Sequence, residues 1–151
     1  MSTLENFIVE AKAAAYVNDG APQASCRAGS HDIGYGRGDW RYLDSYFGGT
    51  DFLGQEIVWR EEQPIWAMNY YGHILEPVLI DAGGAGAVVK KARAALYREG
   101  RFLGDFSLGV GKRRFESAST GDIKRFLGVE RIFIGGVEAY RLQFHGGLIR
   151  P

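Results

Sequence analysis

Seven side chains in the sequence could bind or transform a small molecule, and they lie among glycines and aromatic residues rather than in a known catalytic motif. They are Arg27, His31, Asp44, Glu56, Asn69, Tyr71 and His145. An arginine and an acid can set the charge of a ligand, and an asparagine amide can orient it, in an aromatic-lined cleft. The first hypothesis is therefore a domain that binds a small polar ligand.

A second hypothesis is a hydrolase or lyase that uses general acid–base chemistry. Its catalytic candidates are His31 or His145 paired with Asp44 or Glu56, since a histidine beside a carboxylate can transfer protons. A third is a protein-interaction module, such as a homodimer formed through an edge strand. The simplest alternative is that each polar group is satisfied locally, with Glu56 paired to a basic side chain and Asn69 bonded to the backbone. Whether the protein is an enzyme stays open at this stage.

Known cofactor and metal motifs do not occur in the sequence. It has no nucleophile elbow, Walker loop, HExxH or CxxC. The glycine-rich run 81–86 lacks the spacing of a phosphate-binding loop and is interpreted as the start of a helix. The three histidines have no metal-ligand spacing. We therefore predict neither a metal nor a cofactor.

Length and charge place the chain among soluble single domains. Its 151 residues predict one domain, 1–151. Lysine plus arginine and aspartate plus glutamate balance at 18 each, which disfavours nucleic acid and anionic lipid as partners. No apolar run approaches the ~18 residues of a membrane span. Charges near the N-terminus argue against a signal peptide, and the single cysteine, Cys26, fits a reducing compartment. We expect a cytoplasmic protein.

The stretch Trp40–Gly72 contains all three tryptophans and predicts three consecutive strands. A two-residue turn at 61–62 would pair Trp59 with Pro64 next to the turn. Farther along the strands it would pair Glu56 with Ala67 and Gly54 with Asn69. With that register, Trp59, Trp66 and Met68 form a core face. The opposite face holds Glu56, Asn69 and Tyr71 and predicts a lined cleft, because a glycine in a strand often marks close approach of a ligand.

The C-terminus predicts a second hairpin, Phe126–Ile134 with Val137–His145, about Gly135-Gly136. Strict pairing sets Ile132 opposite Ala139, Glu130 opposite Arg141 and Phe126 opposite His145. The face with Leu127 and Tyr140 is then core.

The remaining segments complete an α+β prediction. Apolar periodicity indicates a helix over Leu4–Val17, with Ser2 and Glu5 at capping-box spacing, and a second helix within Pro77–Gly100. Ala21–Gly38 is expected to be a loop, and two short strands are expected at Phe106–Val110 and Arg113–Ser117. The predicted architecture is a curved antiparallel sheet of about six to eight strands with an N-terminal helix and a central helix packed on it.

Several runs resemble an uncharacterised bacterial domain family, domain of unknown function 5680, found alone or attached to Xre-type helix-turn-helix regulators. They are SHD, GDWRYLDSYFGGTDFLGQEIVW and PIWAMNYYG, with GVERIF and VEAYRLQFHGG near the C-terminus. The likeness covers the N-terminal helix, residues 30–72 and about the last twenty-five residues, whereas 81–86 and 100–120 depart from the pattern. The resemblance implies that relatives act as sensing modules, and it carries over no catalytic residue.

Overall fold

The computed structural model describes residues 3–151 and contains one nine-stranded antiparallel sheet with two helices on one of its faces. The strands are β1 Ala21–Gln23, β2 His31–Arg37, β3 Trp40–Gly48, β4 Phe52–Arg60, β5 Gln63–Ile74, β6 Phe106–Val110, β7 Arg113–Asp122, β8 Arg125–Ile134 and β9 Val137–Leu148. Their spatial order is β1-β2-β3-β4-β5-β9-β8-β7-β6. The α+β class is confirmed. The segment Ala21–Gly38, expected to be a loop, instead supplies β1 and β2.

Helix α1, Thr3–Lys12, continues into a π-helical turn, Ala13–Val17, so the predicted N-terminal helix is confirmed. The wider turn is closed by the Asn18 amide, which donates to the Ala13 carbonyl at 3.2 Å. Ser2, half of the predicted capping box, lies outside the described residues. The side chains of Phe7 and Ile8 are fully buried against the sheet and fix the helix there.

Helix α2, Ala82–Arg98, confirms the predicted central helix. Asp81 caps it, since its Oδ1 accepts from the Gly84 amide at 2.7 Å. Gly100, at φ 76°, ends it in the left-handed region. The glycine-rich run is thus the start of a helix, as interpreted from the sequence.

A β-bulge changes the predicted register between β4 and β5. The turn pairs Trp59 with Pro64 as predicted, but Ile65 is an extra residue, because Val58 pairs with Trp66. Glu56 therefore lies opposite Met68 rather than Ala67. The predicted register was wrong by one residue beyond the bulge.

That single residue decides which side chains share a face. We call the side of the sheet under the helices the covered face and the other side the open face. Glu56 lies on the covered face with Met68, whereas Asn69 pairs with Gln55 and lies on the open face. Trp59, predicted to be core, also lies on the open face, where the Arg41 guanidinium carbon is 4.6 Å from its ring centroid.

The C-terminal hairpin has the same kind of shift. Ile134 pairs with Val137 as predicted, but a bulge next to Phe133 sets Ile132 opposite Tyr140 and Glu130 opposite Leu142. Glu130 is therefore buried, and the predicted Glu130–Arg141 and Phe126–His145 pairings were wrong. Leu127, predicted to be core, is 63% exposed on the open face.

Candidate buried charge cluster and helix cavity

Five charged or titratable side chains lie buried between the helices and the covered face of the sheet. They are Lys12, Asp44, Glu56, Arg93 and Glu130, and we call them the buried charge cluster. Burying a charge is costly unless a partner of opposite charge and good hydrogen bonds compensate it. Each of these five groups therefore needs a particular partner, and the partners are described below.

Lys12, the last residue of α1, is held by Glu56 of β4. Its Nζ lies 2.9 Å from both Glu56 carboxylate oxygens and 3.3 Å from the Met68 sulfur. The Tyr42 hydroxyl also donates to Glu56 Oε1. The Phe102 ring centroid lies 5.0 Å from the ammonium nitrogen, which adds a cation–π contact. Glu56 thus has a full set of donors without solvent.

Asp44 of β3 lies beside Glu56 in the sheet, since the two are cross-strand partners. Its oxygens accept hydrogen bonds from two tyrosine hydroxyls, Tyr16 at 2.8 Å and Tyr70 at 2.5 Å. Burial, and then the negative charge of Glu56, raise the pKa of Asp44 to about 7. With a proton on Asp44, the other four charges of the cluster balance as two cations and two anions.

Arg93 of α2 forms the second buried ion pair. Its Nε and Nη2 donate to the two oxygens of Glu130 on β8, at 3.1 and 2.7 Å. Burial alone would lower the pKa of Arg93, but Glu130 raises it well above its usual value, so the guanidinium stays charged. The guanidinium carbon of Arg93 also lies 4.7 Å from the centroid of the Tyr16 ring. Arg93 thereby links α2 both to the sheet and to the end of the first helix.

Two cavities adjoin this cluster. One, of about 20 Å³, lies between Lys12, Glu56 and Glu130 and is large enough for about one water molecule. The other, of about 260 Å³, lies between α2 and the β3–β4 turn, and we call it the helix cavity. It is lined by Tyr16, Gly49, Thr50, Phe52, Ile74, Ala82, Ala85, Gly86, Val89, Lys90, Arg93 and Tyr140.

The sequence-predicted site residues fall into three groups. Asp44 and Glu56 meet in the buried charge cluster. Asn69, Tyr71 and His145 lie together on the open face, where Asn69 and His145 are cross-strand partners beside a groove of about 710 Å³. His145 is therefore next to Asn69 but on the opposite face from Glu56.

The third group, Arg27 and His31, lies beside β3. Arg27 Nη2 donates to the Ser45 hydroxyl at 2.8 Å, and the His31 ring lies 5.1 Å from that of Tyr46. Among residues 3–151, the side-chain donors to Asp44 and Glu56 are one lysine and three tyrosines, and none is a histidine. The acid–base pair required by the catalytic hypothesis is thus not formed in this structure.

The chain matches the family model of a domain of unknown function (DUF5680) over residues 44–149. It belongs to this family. Within the DUF5680 match lie the glycine-rich run 81–86 and the segment 100–120, which were expected to depart from the pattern. The N-terminal helix and residues 30–43, expected to be part of the likeness, precede it. No curated protein and no solved structure matches the chain.

The matched range of DUF5680 contains the sheet part of the cluster but not Lys12 or Tyr16, which lie on the first helix. Neither helix among residues 3–151 combines the length and the apolar character needed to cross a bilayer.

Lys12 and Arg93 are site residues that the sequence analysis missed, although the sequence carries a signal for both. Lys12 stands four positions after Ile8, and Arg93 four positions after Val89, so each cation falls on the apolar stripe of its helix. A charge in a buried stripe indicates a buried partner. Tyr16 and Tyr140 carry no such signal, because a tyrosine in an apolar stripe is ordinary core.

Proposed function

We propose that this DUF5680 protein binds a small molecule in the helix cavity. The observation that carries the proposal is that two residues border both the cavity and the buried charge cluster. Tyr16 donates to Asp44, and Arg93 donates to Glu130. A molecule in the cavity would touch groups whose hydrogen bonds continue into the core of the sheet.

The energetics of the cluster support a role beyond stability. Buried ion pairs can often be replaced by apolar residues of similar volume without loss of stability, because desolvation offsets their attraction. A cluster of five buried charged or titratable groups is thus an inefficient way to hold two helices on a sheet. Perturbed titratable groups beside a cavity are typical of functional sites.

The cavity volume sets the size of the ligand. An apolar cavity of roughly 150 Å³ is enough to hold benzene. The helix cavity, at about 260 Å³, has room for a body of that size and a polar group. It lies just below the usual range of about 300–1,000 Å³ for small-molecule sites. The resemblance to domains attached to helix-turn-helix regulators fits a sensing role for such binding.

A glycine in α2 offers a variant that adds a side chain at the border of the cavity without disturbing the fold. Gly86 borders the cavity, and a Cβ added there would meet no atom within 4 Å. Gly86→Leu therefore places a side chain at the cavity while improving helix propensity by roughly 0.5–1 kcal/mol. Gly83→Leu is the matched control. It lies in the same helix, does not border the cavity, and its added Cβ would come no closer than 3.7 Å to Asp81.

Thermal unfolding with a panel of small metabolites tests the proposal. A ligand present at a hundred times its Kd should stabilise the protein by about 2.7 kcal/mol, which corresponds to roughly 5–10 °C in Tm. We expect Gly86→Leu to abolish that shift and Gly83→Leu to keep it. A shift that persists in Gly86→Leu, or the absence of any shift across acids, amines, nucleosides and sugars, would contradict the proposal.

A further inference from the structure

The charged side chains that line the helix cavity are all cationic. They are Lys90 and Arg93, and among the described residues no aspartate or glutamate lines the cavity. The electrostatics of the cavity therefore favour an anion.

Lys90 is the cation that is free to exchange its partner. Arg93 is already held through two hydrogen bonds by the buried Glu130. Lys90 has one contact, at 2.7 Å, with Asp19, whose side chain is 86% exposed. Exposed ion pairs of this kind contribute little to stability. A ligand anion can displace Asp19 from Lys90 at small cost.

Tyr140 supplies a second polar group, and it is independent of the charges. Its side chain as a whole is only 3% exposed and borders the cavity, and its hydroxyl makes no hydrogen bond with any residue among 3–151. No fully buried side-chain nitrogen or oxygen among the described residues lacks a partner, so this hydroxyl oxygen is itself accessible and a ligand can reach it. Buried tyrosine hydroxyls usually have a partner. Burial, with the nearby charge of Glu130, raises the pKa of Tyr140, so its hydroxyl keeps the proton and can donate it.

From these contacts we propose that the ligand is a small carboxylate with an aromatic or branched apolar body. Its carboxylate accepts from Lys90 and Tyr140, and its apolar body packs against apolar residues that line the cavity, among them Phe52, Ile74 and Val89. The inference rests on the proposed function and adds the chemical class of the ligand.

Calorimetric titration with matched probes tests the class. Phenylacetate and isovalerate carry the carboxylate, and phenylacetamide and isovaleramide have the same shapes without charge. We expect the acids to bind at least roughly tenfold more tightly than their amides, the factor that a hydrogen bond between charged groups supplies. Lys90→Met should remove that preference and leave the affinity for the amides unchanged. Lys91→Met, an exposed neighbour that does not border the cavity, is the control and should leave both unchanged.

Each result separates the inference from the proposed function. Amides that bind as tightly as acids, with Gly86→Leu blocking both, would overturn the carboxylate class and leave the cavity as the site. Acid binding that survives Gly86→Leu would overturn both. Acid binding that Lys91→Met weakens as much as Lys90→Met would overturn the assignment of Lys90. Failure of both acids to bind would overturn the inference.

Discussion

Removing the Lys12 ammonium should destabilise the protein far more than removing an exposed lysine of the same kind. The side chains of Lys12 and Glu56 are only 5% and 2% exposed. In Lys12→Met the methionine keeps most of the apolar volume, but Glu56 loses both 2.9 Å contacts and keeps the Tyr42 hydroxyl. The substitution therefore measures the contribution of the positive charge rather than that of the side-chain volume.

The magnitude follows from the two lost contacts. Hydrogen bonds between charged groups contribute roughly 1.5–3 kcal/mol each, and methionine avoids the desolvation cost of the lysine. The net loss expected is about 3–5 kcal/mol, the usual cost of leaving one partner of a buried pair unpaired. In a domain of this size that lowers Tm by roughly 6–20 °C. Because the Lys90–Asp19 ion pair is exposed, Lys90→Met should lower the free energy of unfolding by less than about 1 kcal/mol.

Urea unfolding, monitored by tryptophan fluorescence, measures the loss of unfolding free energy in Lys12→Met, because Trp66 is fully buried close to Lys12. The double variant Lys12→Met/Glu56→Gln should recover at least about 2 kcal/mol of the loss, since it removes the uncompensated charge and keeps an acceptor for Tyr42. A Lys12→Met cost equal to that of Lys90→Met would refute the reasoning. A double variant whose loss of unfolding free energy equals the sum of the losses in the two single variants would refute it as well.

Two further changes test Asp44 and the tyrosine that holds it. Because the folded pKa of Asp44, about 7, lies above its unfolded value, its contribution to stability is full below about pH 4 and is lost as pH rises through 7. Urea titrations should therefore show wild type losing roughly 2–3 kcal/mol between pH 5 and 8 relative to Asp44→Asn; a difference that is flat or of opposite sign would contradict this. Gly54→Ala should cost about 1–3 kcal/mol, because its Cβ would lie 2.3 Å from the Tyr70 hydroxyl oxygen and push it off Asp44. Gly86→Ala, with open space at its Cβ, should be neutral or stabilising in the same urea titrations. Equal losses of unfolding free energy in the two variants would show that the backbone rather than Tyr70 is responsible.

The helices and turns were predictable because their signals are local. The apolar stripe of α2 and its stop at Gly100 lie within one stretch of sequence, as do the glycines of the β8–β9 turn. The turn at 61–62 was predicted correctly for the same reason. The fold class and strands β3 to β9 followed from these signals, whereas β1 and β2 lie in a segment that was expected to be a loop.

The two β-bulges were not predictable from the alternation of the strands. An extra residue at Ile65 leaves the turn unchanged and reverses every side chain beyond it. The extra residue places Glu56 opposite Met68 and on the other face from Asn69. The side chains of the cleft predicted from the sequence are therefore divided between two faces of the sheet. The shift beside Phe133 likewise turns Glu130 inward to meet Arg93.

The partners of the buried charges lie far away in sequence. Glu56 was expected either to face a cleft or to pair with a basic residue, and its partner is Lys12 on a different element. Which cation meets which acid depends on where the helices cross the sheet, and no local pattern encodes that.

The strand order divides the sheet into two halves, β1–β5 and β6–β9, and each half has its own helix. The first helix is tied to its own strands by Lys12–Glu56, and α2 is tied to its own by Arg93–Glu130. Within the sheet, the halves meet only along the β5–β9 ladder, where Tyr70 pairs with Phe144. Closing that long loop is slow compared with forming adjacent hairpins. The two halves should therefore fold first and join last, and amide protection along β5–β9 during refolding should lag behind protection within either half.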